Sequence, residues 1–199
     1  LMEFPCAAVL VDTGGEVNRL YDSNKVLKAY LTKFFADRPD LNHELKLVVI
    51  THPHLDHVLG IDKVLLAPGS KFRIANVLTN GQEAEELSGG PHMNRLHRFA
   101  EKNPKVGLRK IRLRDIPARY GRTGPIIDPV KCAQVDPKIH VLWSSPVKKP
   151  KHWSQRDFLN ANEHSLVLRV DFGKASMLLL ADLETHGIHV KLIDPDEET

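Results

Sequence analysis

The stretch Leu47-Val48-Val49-Ile50-Thr51-His52-Pro53-His54-Leu55-Asp56-His57 decides the reading of this chain. Its first four residues are apolar and mostly β-branched, as in a buried strand, and a turn containing proline follows at once. That turn crowds four potential metal ligands, His52, His54, Asp56 and His57, into six residues. Imidazole and carboxylate suit zinc and related divalent cations, and a tight turn at a strand end can aim several side chains into one pocket. The competing reading is a His-rich surface turn, but such a turn has no need of an apolar strand in front of it. On an extended backbone His52 and His54 project to the same side, while Asp56 and His57 lie further round the turn. Asp56 would also suit a helix N-terminus with no metal present.

Outward from that turn, strand and helix patterns alternate. A short strand is expected over 7–11, ended by the turn Asp12-Thr13-Gly14-Gly15. Val26, Leu27, Tyr30, Leu31, Phe34 and Phe35 recur at three- and four-residue spacing, which predicts an amphipathic helix over 23–36 capped by Asp22 or Ser23. Residues 46–51 are the central strand, 57–66 a helix stopped by Pro68-Gly69, and 72–78 the next strand. A helix over 92–102 ends at Asn103-Pro104, and strands follow at 139–143, 165–172 and 175–180. This alternation indicates an α/β layered protein. Residues 115–137 are irregular and rich in proline and glycine, and read as a loop insertion serving as a functional lid or an ornament of the scaffold.

The chain has 199 residues, which makes one domain over 1–199 the default. Hydrophobic content of 42% and charged content of 27% are ordinary for a soluble protein, and a net charge of +3 excludes no class of partner. Cys6 and Cys132 are too few for a disulfide framework, so a reducing, cytoplasmic setting is the simpler expectation. No stretch has the apolar length to cross a bilayer, and no signal-peptide pattern precedes the first strand. No Ser-His-Asp set, Gly-rich phosphate loop or paired-Cys motif competes with the metal reading.

Residues 52–57 resemble the H-x-H-x-D-H signature of the metallo-β-lactamase-fold hydrolases, with every position filled. Downstream, Asn160-Ala161-Asn162-Glu163-His164-Ser165-Leu166-Val167-Leu168 and Met177-Leu178-Leu179-Leu180-Ala181-Asp182 are similar to the family's later motifs, in which a ligand histidine opens one strand and an aspartate closes the next. The 18 residues between them (182 − 164) accommodate two strands and a glycine turn. An Asn-x-x-x-(His or Asn)-Ser-Leu-Val-Leu opening, with Val11-Asp12-Thr13-Gly14-Gly15 and Val77-Leu78-Thr79-Asn80-Gly81, is most like the soluble hydrolase domain of bacterial competence DNA-uptake proteins, many of which resemble it with Asn at the place of His164. The resemblance runs through most of 9–184.

It implies a four-layer αββα sandwich of two facing mixed sheets with helices outside. It also implies that a further strand belongs before Leu1, and that a closing segment with a last ligand histidine belongs after Thr199, so the chain is expected to be incomplete at both ends. The implied metal ligands are His52, His54 and His164 for one site and Asp56 and His57 for a second, with Asp182 bridging them. His54, Asp56 and Asp182 would carry the catalytic work. Two zinc ions are expected, or one given the missing last histidine, and manganese accepts the same ligands. A cation there brings bound water to a pKa near 7, which supplies a nucleophile without a separate base.

Each of these residues has a plainer reading. His164 also fits a satisfied histidine at a strand edge, and Asp12 either a partner behind a ligand histidine or a turn former. Asp182 ends an apolar run where an unpaired carboxylate is unfavourable to bury, and Ala181 stands where the family usually has glycine. His186 and His189 follow Asp182 too closely to match the last histidine and read as a surface helix. His43, His92, His97, His140 and His152 show no ligand spacing.

Two basic stretches bear on substrate: Arg109, Lys110, Arg112, Arg114, Arg119 and Arg122, then Lys148, Lys149 and Lys151 with Trp153. Basic side chains beside an exposed aromatic suit a phosphate backbone with a stacking base, against a solvated basic loop as the alternative. The expected activity is metal-dependent hydrolysis of a phosphodiester in DNA or RNA. Hydrolysis of a β-lactam, lactone or thioester is the second reading, and a non-catalytic metal- or nucleic-acid-binding domain the third.

Overall fold

The computed structural model describes residues 1–82, 87–117, 119 and 121–184. In chain order its elements are β1 (Met2–Phe4), β2 (Ala7–Val11), α1 (Ser23–Asp37), β3 (Glu44–Ile50), α2 (Leu55–Gly60), β4 (Arg73–Ile74), β5 (Asn76–Thr79), α3 (Gly90–Lys102), β6 (Gly107–Lys110), β7 (Lys138–Trp143), α4 (Gln155–Leu159), β8 (Val167–Phe172) and β9 (Ala175–Leu179). The larger sheet has the order β1-β2-β3-β5-β6, with β4 beside the start of β3. Strands β2, β3, β5 and β6 run parallel, and β1 is antiparallel to β2. The smaller sheet, β7-β8-β9, is antiparallel.

Strand β3 is apolar on both faces because both faces are covered, as parallel strands between two layers require. Val48 and Ile50 pack with Leu31, Phe35, Val58, Ile61 and Met93 under the helices. Leu47 and Val49 meet Ile139, Val141, Leu168 and Val170 of the second sheet. The alternation is reset once. Ala8 pairs with Leu45 and Val9 with Leu47, so Lys46 is an extra residue in the ladder. Its carbonyl accepts a hydrogen bond from Asn76 Nδ2 at 3.0 Å. Full burial of each such side chain contributes about 1.5–3 kcal/mol.

Helix α1 is capped by Asp22, whose carboxylate accepts from the amides of Asn24 and Lys25. The helix expected over 57–66 begins earlier, at Leu55, and finishes as a π-helical turn over Ile61–Leu65. The strand expected over 72–78 is split into β4 and β5. Strand β6 was not anticipated: Arg109 and Lys110, read as part of a basic patch, belong to a sheet edge, and Lys110 pairs with Glu101 at 2.9 Å. The described residues give three layers, helices, sheet and sheet. They include no helix over the outer face of the second sheet. The short α4 instead packs through Phe158 against Trp143 and Trp153.

The described residues of the loop 115–137 contribute to the core. Ile116, Ile127, Val130 and Cys132 are buried in the core between the sheets, and Arg122 bridges to Val141. Cys132 is disulfide-bonded to Cys6 with their Cα atoms 5.5 Å apart, which removes the ground on which a reducing compartment was expected. No helix among the described residues is long and apolar enough to cross a membrane.

Two measurements follow from this packing. The disulfide ties residues 126 positions apart, so the pair Cys6→Ser and Cys132→Ser should lower the unfolding free energy in urea by about 2–4 kcal/mol. An unchanged midpoint would show that the bond contributes nothing. His97 sits under β5 with its Nε2 3.0 Å from Thr79 Oγ1. Burial, helped by Lys110, lowers its pKa to about 4. The unfolded chain takes up that proton near pH 6.5, so between the two values it binds more protons than the native state. Stability therefore falls as pH drops through this window, by up to about 1.4 kcal/mol per unit from this residue. Denaturation at pH 7 and pH 5 should show a shallower loss in His97→Gln, and equal losses would contradict the assignment.

Candidate metal centre

The turn after β3 is built on Asp12. This residue follows β2 directly with φ +54°, and its carboxylate takes three donors. Oδ1 accepts from Thr51 N at 2.8 Å, and Oδ2 accepts from Thr51 Oγ1 at 2.7 Å and from His57 Nδ1 at 2.8 Å. Because the Thr51 hydroxyl spends its proton on Asp12, its oxygen is left to accept from His52 Nδ1, 3.2 Å away. Both histidines thereby have Nδ1 engaged and Nε2 turned to the centre. His57 Nε2 lies 3.2 Å from Asp182 Oδ2 and 3.6 Å from Asp56 Oδ2. His52 Nε2 lies 3.1 Å from His54 Nδ1.

Backbone contacts grip this turn from two sides. A Cβ on Gly15 would lie 2.0 Å from Leu55 O, and one on Gly89 2.7 Å from Pro53 O. Only glycine permits such approaches. Gly89 N also donates to Pro53 O at 3.0 Å, and Thr13 N to His57 O at 2.7 Å.

Electrostatics favour a cation here. Burial, reinforced by His57 and His54, pushes the pKa of His52 down to about 3, so its ring is neutral as a ligand must be. Burial also disfavours charge on His57, but the Asp12 hydrogen bond and the charges of Asp12, Asp182 and Asp56 outweigh it and carry its pKa up to about 9. Three carboxylates around one imidazole ring, Asp12 at Nδ1 and Asp56 and Asp182 at Nε2, attract positive charge, which a divalent cation supplies more strongly than a proton. His52, His57 and Asp182 offer ligand atoms that all lie within 4.8 Å of one another, and these residues fit such a cation.

His54 and Asp56 border that cluster, and Asp12 both forms the turn and holds the ring of His57 from behind. His164 departs from the expected ligand set. Its Nε2 is 2.7 Å from the Phe158 carbonyl, which can only accept, and its Nδ1 is 2.7 Å from Ser145 Oγ. Burial lowers its pKa, so the ring is neutral, with Nε2 donating and Nδ1 accepting. In this arrangement protein groups engage both ring nitrogens, and His164 stands apart from the cluster of His52, His57 and Asp182. Sequence reasoning missed Ser145 and Asn80, whose amide donates to His164 O at 2.9 Å. Nothing local marks Ser145, and Asn80 stood only as one residue of the stretch 77–81, since both act across the fold.

Trp153 is also corrected. It is 2% exposed and packed against Trp143 and His164, so it cannot stack on a base. Lys149 Nζ donates to Trp153 O at 2.6 Å, while Lys148 and Lys151 remain exposed. His186 and His189 lie outside the described residues.

A model of the metallo-beta-lactamase superfamily matches residues 7–197 of the chain. No curated protein matches it.

The position of Asp12 predicts that Asp12→Asn weakens zinc binding by about 10- to 100-fold in a calorimetric titration. An unchanged affinity would show that Asp12 does not orient His57 for a cation.

Proposed function

This chain belongs to the metallo-beta-lactamase superfamily, and from that premise we propose that it is a metal-dependent hydrolase centred on His52, His57 and Asp182. The observation that carries the reading is the convergence of these three ligand atoms within 4.8 Å, with Asp12 fixing the ring of His57 from behind. A divalent cation held there supplies a Lewis acid and an acidified water at neutral pH.

The residues around it divide the work. His52 and His57 present Nε2, and Asp182 closes the centre from the second sheet. His54 borders the cluster beside His52 and Asp56 beside His57, and these two would be the residues available to a second cation. Nitrogen and oxygen ligands favour zinc, with manganese as the alternative. We keep His164 outside the ligand set, because joining it would mean releasing both Ser145 and the Phe158 carbonyl.

For substrate we propose a phosphodiester of DNA or RNA. Lys148 and Lys151 are exposed on the segment between β7 and α4, and that segment is anchored beside His164 through Trp153. The resemblance of 160–168 to competence-type hydrolases points the same way. Hydrolysis of a lactam, lactone or thioester is the second reading, since the same centre would serve it.

Protein loaded with zinc or manganese should cleave single-stranded DNA and an aryl phosphodiester, with His57→Ala lowering the rate by about a thousandfold. Turnover of a chromogenic β-lactam alone would reverse the substrate assignment. Stoichiometric metal with no hydrolysis of any of the three would make the chain a binding domain.

A further inference from the structure

Glu184, two residues beyond Asp182, is gripped by two asparagines. Asn160 Nδ2 donates to its Oε2 at 3.0 Å and Asn162 Nδ2 to its Oε1 at 2.8 Å. Each carboxylate oxygen takes one amide, and both amides come from the short segment that leads into β8. Asn160 is itself oriented there, because its Oδ1 accepts from Asn162 N at 3.1 Å. Asn162 lies within hydrogen-bonding reach of His52 on its other side.

The loop that carries Asp182 needs such an anchor. Ala181 adopts φ +50°, a left-handed conformation that costs a residue with a Cβ about 1 kcal/mol. The Asp182 side chain is 42% exposed, so no surrounding wall holds it in place. Three consecutive side chains fix the loop in three directions. Asp182 meets His57, Leu183 is buried with Trp143, Trp153 and Val167, and Glu184 meets the asparagines.

We propose that Asn160, Asn162 and Glu184 form a clamp that positions Asp182 for the cation. They are positioning residues of the metal centre and not ligands, and they couple the loop after β9 to the side of His52. This assignment rests on the metal-dependent reading above and gives a role to the paired asparagines of the Asn160-Ala161-Asn162 motif.

The test compares wild type, Glu184→Gln, and the pair Asn160→Asp with Glu184→Gln. The single change leaves one asparagine amide facing another amide. The paired change reverses donor and acceptor at Asn160 and restores both bonds. Zinc titration should show affinity about tenfold weaker in the single variant. Amide hydrogen exchange of residues 180–184, followed without added zinc, should be about tenfold faster. The paired variant should return both quantities to within about threefold of wild type. Wild-type affinity and exchange in Glu184→Gln would overturn the clamp. So would a paired variant that stays weak, which would make Glu184 a direct ligand or a simple charge. If wild type binds no zinc, the metal-dependent reading fails, and the exchange comparison alone decides the clamp.

Discussion

One carboxylate, that of Asp12, joins the ends of two strands to the first turn of a helix. It holds the amide and hydroxyl of Thr51 and the ring of His57, so β2, β3 and α2 share a single electrostatic node. The turn Thr13-Gly14-Gly15 completes the grip by binding the His57 carbonyl and lying flat on the start of α2. A charged acceptor with three donors is among the stronger hydrogen-bonding arrangements in a protein. It also decides which nitrogen each histidine turns to the centre, and that choice separates a metal site from a cluster of histidines.

The layering supplies the rest. Parallel strands of the first sheet end together, so the loops after β2 and β3 meet on one edge of the molecule. The second sheet brings Asp182 to the same edge only because the core between the sheets is closed, by Leu47, Val49, Leu168 and Val170 and by the buried residues of the loop 116–137. The disulfide pins that loop to the turn between β1 and β2. The centre is therefore made by two halves of the chain, and its geometry depends on sheet packing well away from the ligands.

Much of this was legible in the amino-acid pattern. The three- and four-residue spacing of α1, its Asp22 cap and the apolar run of β3 are local signals, and the local structure obeys them. The turn 52–57 was visible as a turn at a strand end, but its contacts to Asp12 and Asp182 reach 45 and 125 residues away. What escaped was set by contacts between distant segments. His164 has the type and spacing of a ligand, yet Ser145 and the Phe158 carbonyl occupy both of its nitrogens. Trp153 sits among lysines in sequence but faces Trp143 in space. The extra residue at Lys46 and the pairing of Cys6 with Cys132 likewise arise from register and packing, which no window of sequence contains.

The convergence of His52, His57 and Asp182 on a divalent cation is tested most directly by anomalous X-ray diffraction at the zinc edge from crystals grown with zinc. A peak about 2.0–2.2 Å from His52 Nε2, His57 Nε2 and an Asp182 oxygen is expected. A map with no peak at that position, or with zinc bound only elsewhere on the molecule, would contradict it.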